Sequence, residues 1–130
     1  MKFFKSFTKD IFSLNATGLE RAALKLFHYQ ALHNLVYKQY LEHLNIVPEK
    51  VRSIASIPFL PISFFKSHQV VTGAWQPEKI FESSGTTGQQ NSRHYVYSLD
   101  HYHQVCMRNF ELFFGPVSNY HVFALLPSYL

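Results

Sequence analysis

One cysteine, Cys106, stands in the sequence, so no internal disulfide can form. Such a chain suits a reducing compartment, and a cytoplasmic location is expected. Charged residues are scarce as well, at 15%, against an apolar fraction of 47%. That balance argues against disorder, because disordered chains lack the apolar surface to build a core. Long hydrophobic runs are missing. Lys2, Lys5 and Lys9 interrupt the apolar start, so it offers no signal-peptide core, and no later stretch is long enough to span a bilayer. A dense cationic stripe is missing too. The net charge is +4, yet the basic residues are scattered from Lys2 to Arg108. Nucleic-acid binding usually needs a clustered patch, whereas a mildly cationic surface tolerates an anionic ligand.

Several chemical signatures are also absent. There is no CxxC and no HExxH. His101 and His103 are two apart on a predicted helix and do not share a face. His103 and Cys106, three apart, can share one, but two ligands do not close a metal site. No metal is assigned, and the eight histidines are read as solvated or hydrogen-bonded. The G-x-S-x-G elbow of serine hydrolases is lacking. So are the dinucleotide G-x-G-x-x-G and the P-loop, since Gly88 is followed by Gln89 rather than Lys.

What the chain does have is aromatic residues, thirteen Phe and eight Tyr among 130 residues, the size of one ordinary domain or part of one. A short helix is expected over residues 8–14. Thr17 and Glu20 match a capping box, and apolar residues at helical spacing predict one long amphipathic helix over residues 19–44, ended by Asn45 and Pro48. In "SIPFLPISFFK", Pro58 and Pro61 forbid a regular helix and push Ile57 and Leu60 to extended shapes. This segment is read as an apolar strap on a sheet or over a cleft. Residues 70–72 read as a short strand and Gly73 as a turn. Residues 79–82 and 93–97 read as strands. Ser98 is a good N-cap for a helix that Gly115-Pro116 stops. Residues 122–126 are all apolar and read as a buried parallel strand. The fold class is therefore α/β: a helical section over residues 1–56, then the first strands of a mixed sheet over 57–130. A buried strand at the end of the chain is read as a cut through a larger domain.

Between the two central strands lies an unusual run, Ser83-Ser84-Gly85-Thr86-Thr87-Gly88. Glycine lets backbone approach a ligand closely, exposed N–H groups form an anion concavity, and hydroxyls donate to phosphate oxygens. No carboxylate lies within the run. These features describe a polyphosphate cradle; the alternative is a flexible turn without a ligand.

"FESSGTTGQQNSRH" resembles the phosphate-binding signature of the adenylate-forming superfamily of acyl-CoA synthetases, luciferases and adenylation domains. With "IPFLPISFFK" before it and "LLPSYL" after it, the chain is similar, more narrowly, to LuxE-type acyl-protein synthetases. The match covers residues 57–130 and is strongest at 57–66 and 81–88. The resemblance implies an ATP-dependent ligase that joins a fatty or other carboxylic acid to AMP and passes the acyl group to a thiol. It implies ATP and Mg²⁺ as cofactors, with Ser83, Ser84, Gly85, Thr86, Thr87 and Gly88 on the phosphates. It implies Pro127, Ser128 and Tyr129 as part of the acyl or adenine pocket wall, and an acyl reductase or acyl carrier as partner.

Two departures stand out. Many relatives carry Pro-Lys-Gly after the glycine-threonine run; here Gln90-Asn91-Ser92 follows, and Arg93 is the candidate replacement cation. The family's acidic adenine motif, ribose-binding Asp, late catalytic Lys and acyl-accepting Cys all lie beyond position 130 in full-length relatives. The chain alone is therefore expected to be catalytically incomplete, no catalytic residue is assigned, and Cys106 is read as a buried, inert thiol. The alternative function is a non-catalytic nucleotide-binding or protein-docking domain of an acyl-transfer complex. Phe3, Phe4 and Phe7 can serve such docking, or simply pack against the long helix. A nucleic-acid module that stacks bases on aromatics finds no support in SSGTTG.

Overall fold

The computed structural model describes residues 2–8, 11–84 and 90–124. Among these residues are five α-helices, α1 (Lys2–Thr8), α2 (Ala16–His33), α3 (Leu35–His43), α4 (Phe64–Ser67) and α5 (Leu99–Phe114). Two strands, β1 (Lys79–Glu82) and β2 (Arg93–Val96), form an antiparallel pair. Helices thus combine with a small sheet, as expected of a chain with both periodicities. The sheet among the described residues is two-stranded and antiparallel.

The predicted long helix is two helices. Asn34 breaks it with an extended backbone (φ −103°, ψ 107°) and serves both ends. Its N–H donates to the Gln30 carbonyl at 2.8 Å, closing α2. Its side-chain Oδ1 accepts from the Tyr37 N–H at 3.0 Å, opening α3. Asparagine suits this place because its short amide replaces the backbone acceptor that a continuous helix would have supplied. The break frees the His33 carbonyl, which accepts from the Gly73 N–H at 2.9 Å. Asn34 Nδ2 meanwhile donates to Thr72 Oγ1 at 3.2 Å. One buried amide therefore sets the angle between two helices and anchors residues 72–73. Gly73 is a turn, as its φ of +83° requires, but residues 70–72 are not a strand; the Thr72 hydroxyl bonds to Asn34 at the helix break and the Thr72 carbonyl accepts from Trp75.

Helix ends elsewhere follow local chemistry. Asn15, not Thr17, caps α2, with its side chain accepting from the Gly18 N–H at 2.8 Å. Asn45 ends α3 in the left-handed region (φ +55°). The Asn45 N–H reaches the Glu42 carbonyl and the Ile46 N–H reaches Leu41, the paired bonds of a Schellman turn. The N-terminal helix lies earlier than the 8–14 expected from sequence, and a 3₁₀ turn over Ile11–Ser13 follows it.

The core sits on α2 and α3. Phe27, Ala31, Tyr37, Leu41 and Val51 are buried together, and Ile57 and Leu60 of the proline strap pack against them. The first half of the strap therefore lies on the helix pair, and its end reaches the sheet, where Phe65 meets His94 of β2. Ile57 is extended (φ −73°, ψ 119°), as the following proline demands. The Tyr37 hydroxyl donates to the Pro58 carbonyl at 2.6 Å and ties strap to helix. Desolvation, then the neighbouring Tyr40, pushes the Tyr37 pKa up to about 12.

At the N-terminus the packing reading holds. Phe3 stacks on Tyr29 of α2, and Phe4 meets Tyr97 and His101 edge-on. Residues 121–124 form no strand, and Val122 and Phe123 are 80% and 93% exposed. An apolar run becomes a strand only where an unpaired edge accepts it, and no described strand lies beside this one. Residues 125 and 126 of that expected strand lie outside the described residues. No helix among the described residues is long and apolar enough to cross a membrane.

Candidate phosphate-binding hairpin

The hydroxyl-glycine run is held at both ends by the β1–β2 pair. Lys79 faces Val96, Ile80 faces Tyr95, Phe81 faces His94 and Glu82 faces Arg93. The ladder continues one step further. The Ser83 N–H donates to the Ser92 carbonyl at 3.0 Å, and the Ser92 N–H donates to Ser83 Oγ at 3.0 Å. Among the described residues this is the last pair, and residues 85–89 lie outside them.

Two-stranded hairpins are marginal without support, and all four residues of β1 are exposed. Support comes from α5. Phe81 stacks on Tyr102 with ring centroids 5.2 Å apart. Glu78, just before β1, accepts from the Leu99 N–H at 2.7 Å, while Ser98 Oγ accepts from His101 N–H at 3.3 Å. Two side chains thus satisfy the first turn of α5, and one of them couples that helix to the hairpin. Ser98 was legible as a cap; Glu78 was not, since its partner is 21 residues away.

The predicted site residues divide into two groups. Ser83, Ser84 and Arg93 are described and exposed. Gly85, Thr86, Thr87 and Gly88, with Pro127, Ser128 and Tyr129, lie outside the described residues. Ser83 has a structural task, accepting from Ser92, and keeps its own hydroxyl proton as a donor. Arg93 is already paired. Its Nε lies 2.9 Å from Glu82 Oε1, directly across the strands. Hydrogen bonding to Glu82, followed by that carboxylate's charge, raises the Arg93 pKa. Glu82 is the residue that sequence reasoning missed here. The signal was available, because an antiparallel register places opposite charges face to face. The rim of the loop is thus close to neutral, with guanidinium N–H groups and serine hydroxyls as donors. Such donors suit phosphate oxygens, and an arriving polyanion would compete with Glu82 for Arg93.

Among the described residues no group of three or more His, Cys, Asp or Glu could hold a metal ion. Cys106 is exposed on α5, which corrects the expectation of a buried thiol. Its neighbours on the same face, Val105 and Phe110, are half-buried, so exposure begins at the thiol itself rather than along the whole face.

Comparison with protein-family models, with curated proteins and with solved structures finds no match.

Proposed function

We propose that this chain supplies the phosphate-loop portion of an ATP-dependent acyl-activating ligase, of the LuxE type within the adenylate-forming superfamily. What supports the reading is the junction at Ser83 and Ser92. The last described pair stands where the serine, threonine and glycine run begins, so donor-rich backbone is tethered at both ends. In the proposed reaction a carboxylate oxygen attacks the α-phosphorus of ATP, the bond to the bridging oxygen breaks, and pyrophosphate leaves. The resulting acyl-AMP passes its acyl group to a thiol and releases AMP. The residues of this chain hold the departing phosphates. Donors fixed before the reaction stabilise charge as it builds, without reorganising. Mg²⁺, when bound with ATP, would add neutralising charge on the phosphate oxygens. The carboxylic acid partner is fatty or otherwise apolar.

Hydrogen exchange tests this directly. ATP with Mg²⁺ should slow amide exchange across residues 84–91 at least several-fold, and a Thr86→Val/Thr87→Val double variant should abolish the effect. Equal exchange with and without ATP in the unaltered chain, or equal protection in the double variant, would overturn the proposal. A second reading is favoured by a separate observation. Leu112, Phe113 and Phe114 at the end of α5 are 76%, 76% and 61% exposed, an apolar surface that suits a docking domain for an acyl reductase or acyl carrier.

A further inference from the structure

A cavity of about 620 Å³ lies between α1, α2, residues 70–75, β2 and the first half of α5. Phe4, Tyr29, Val71, Trp75, Tyr97 and Val105 form much of its wall. No Lys, Arg, Asp or Glu is among its described lining residues. The titratable groups it does have, apart from tyrosines, are His94 of β2 and His101 of α5.

Protein interiors are packed as densely as organic crystals, and voids much larger than a water molecule are few. This space does not simply close up, because ring contacts brace its walls. Phe3 lies on Tyr29, Phe4 meets Tyr97 and His101, and Trp75 meets Tyr97 edge-on at 5.5 Å. The polar end of Trp75 is turned to the backbone, its Nε1 donating to the Thr72 carbonyl at 3.0 Å. That carbonyl belongs to the segment anchored by Asn34, so the helix break also fixes this wall. The space is half-open to solvent, and its mostly apolar lining offers water few hydrogen-bond partners. The size falls in the range of small-molecule sites, and the lining has their character.

We propose that this cavity is a binding site for an uncharged, largely apolar small molecule, a ring system or a chain, seated beneath α1. Among the described lining residues no charge is present to offset an ion's loss of hydration, which selects against ions. The inference does not rest on the ligase reading, as it requires no nucleotide.

Trp75 is the single tryptophan of the chain and stands in the cavity wall, so it reports occupancy. The neutral probe N-phenyl-1-naphthylamine should show saturable energy transfer from Trp75 with a stoichiometry of one. Val71→Phe and Val105→Phe, which fill the space from opposite walls, should each weaken binding at least tenfold. Phe113→Ser/Phe123→Ser, on the exposed apolar surface, should leave it unchanged. Circular dichroism identifies which filling variants fold, and either one suffices. If neither folds, nuclear Overhauser contacts between probe and Val105 methyls in the unaltered chain decide. Non-saturating transfer, undiminished binding in a folded filling variant, loss of binding in the surface variant, or absence of the Val105 contacts would each overturn the proposal. So would tighter binding of the anionic 1-anilinonaphthalene-8-sulfonate than of the neutral probe.

Discussion

Replacing Asn34 by alanine should loosen the joint on which both halves of the chain depend. Asn34 is 5% exposed, and its side chain makes two hydrogen bonds, from the Tyr37 N–H and to Thr72 Oγ1. Alanine removes both. Loss of an N-cap costs about 1 kcal/mol. Loss of a partly buried side-chain bond costs about 1 kcal/mol more, since Thr72 is left with an unpaired hydroxyl. A total of about 2 kcal/mol is a sizeable share of the 5–15 kcal/mol typical of a domain. With a urea slope of about 2 kcal/mol/M the unfolding midpoint should fall by about 1 M at unchanged slope. Trp75 emission and far-ultraviolet circular dichroism should report the same transition. The Thr72→Val change then isolates the second bond. It should cost about 1 kcal/mol in the unaltered chain and almost nothing beside Asn34→Ala, a coupling that independent sites would not show. A midpoint shift below about 0.3 M, or additive effects of the two changes, would refute the role assigned to this amide.

Three further outcomes are expected. The Tyr37 pKa is raised in the folded state to about 12 from the ordinary phenol value of 10.0, so its contribution is fully present below pH 10.0 and is lost as pH rises towards 12. Stability of the unaltered chain should therefore fall more steeply with pH across that window than stability of Tyr37→Phe, measured by urea unfolding; parallel curves would contradict the burial of the phenol. Cys106, being exposed, should react with a thiol reagent such as 5,5′-dithiobis(2-nitrobenzoate) in native buffer at close to the rate of the urea-unfolded chain, and protection until unfolding would count against the placement of α5. Ser98→Ala should lower stability by about 1 kcal/mol in thermal or urea unfolding, with a smaller loss for Glu78→Gln, whose amide oxygen still accepts from Leu99; no loss for Ser98→Ala would mean that Glu78 caps α5 alone.

Local chemistry was legible wherever a residue acts on its near neighbours. Ser98 opening α5, Gly115 and Asn45 ending helices, Gly73 turning, Pro58 extending Ile57, and two strands around the hydroxyl-glycine run all follow from short-range sterics and hydrogen bonding. Periodicity alone was less reliable. The spacing over residues 19–44 carried Gln30 and His33 on its apolar face, and Asn34 beside them is a capping residue; those three polar residues were the signal of a break.

The partners of these elements were decided only in three dimensions. Asn34 reaches Thr72, Tyr37 reaches Pro58, and Glu78 reaches α5, each across twenty or more positions of chain. Sequence pattern has no term for such encounters. The strap divided between the helix pair and β2, Thr72 bonded to the helix break, and Cys106 stayed in the open. Hydrogen-bonding preference and apolar periodicity say what a segment needs; which surface meets that need depends on the geometry of everything packed around it.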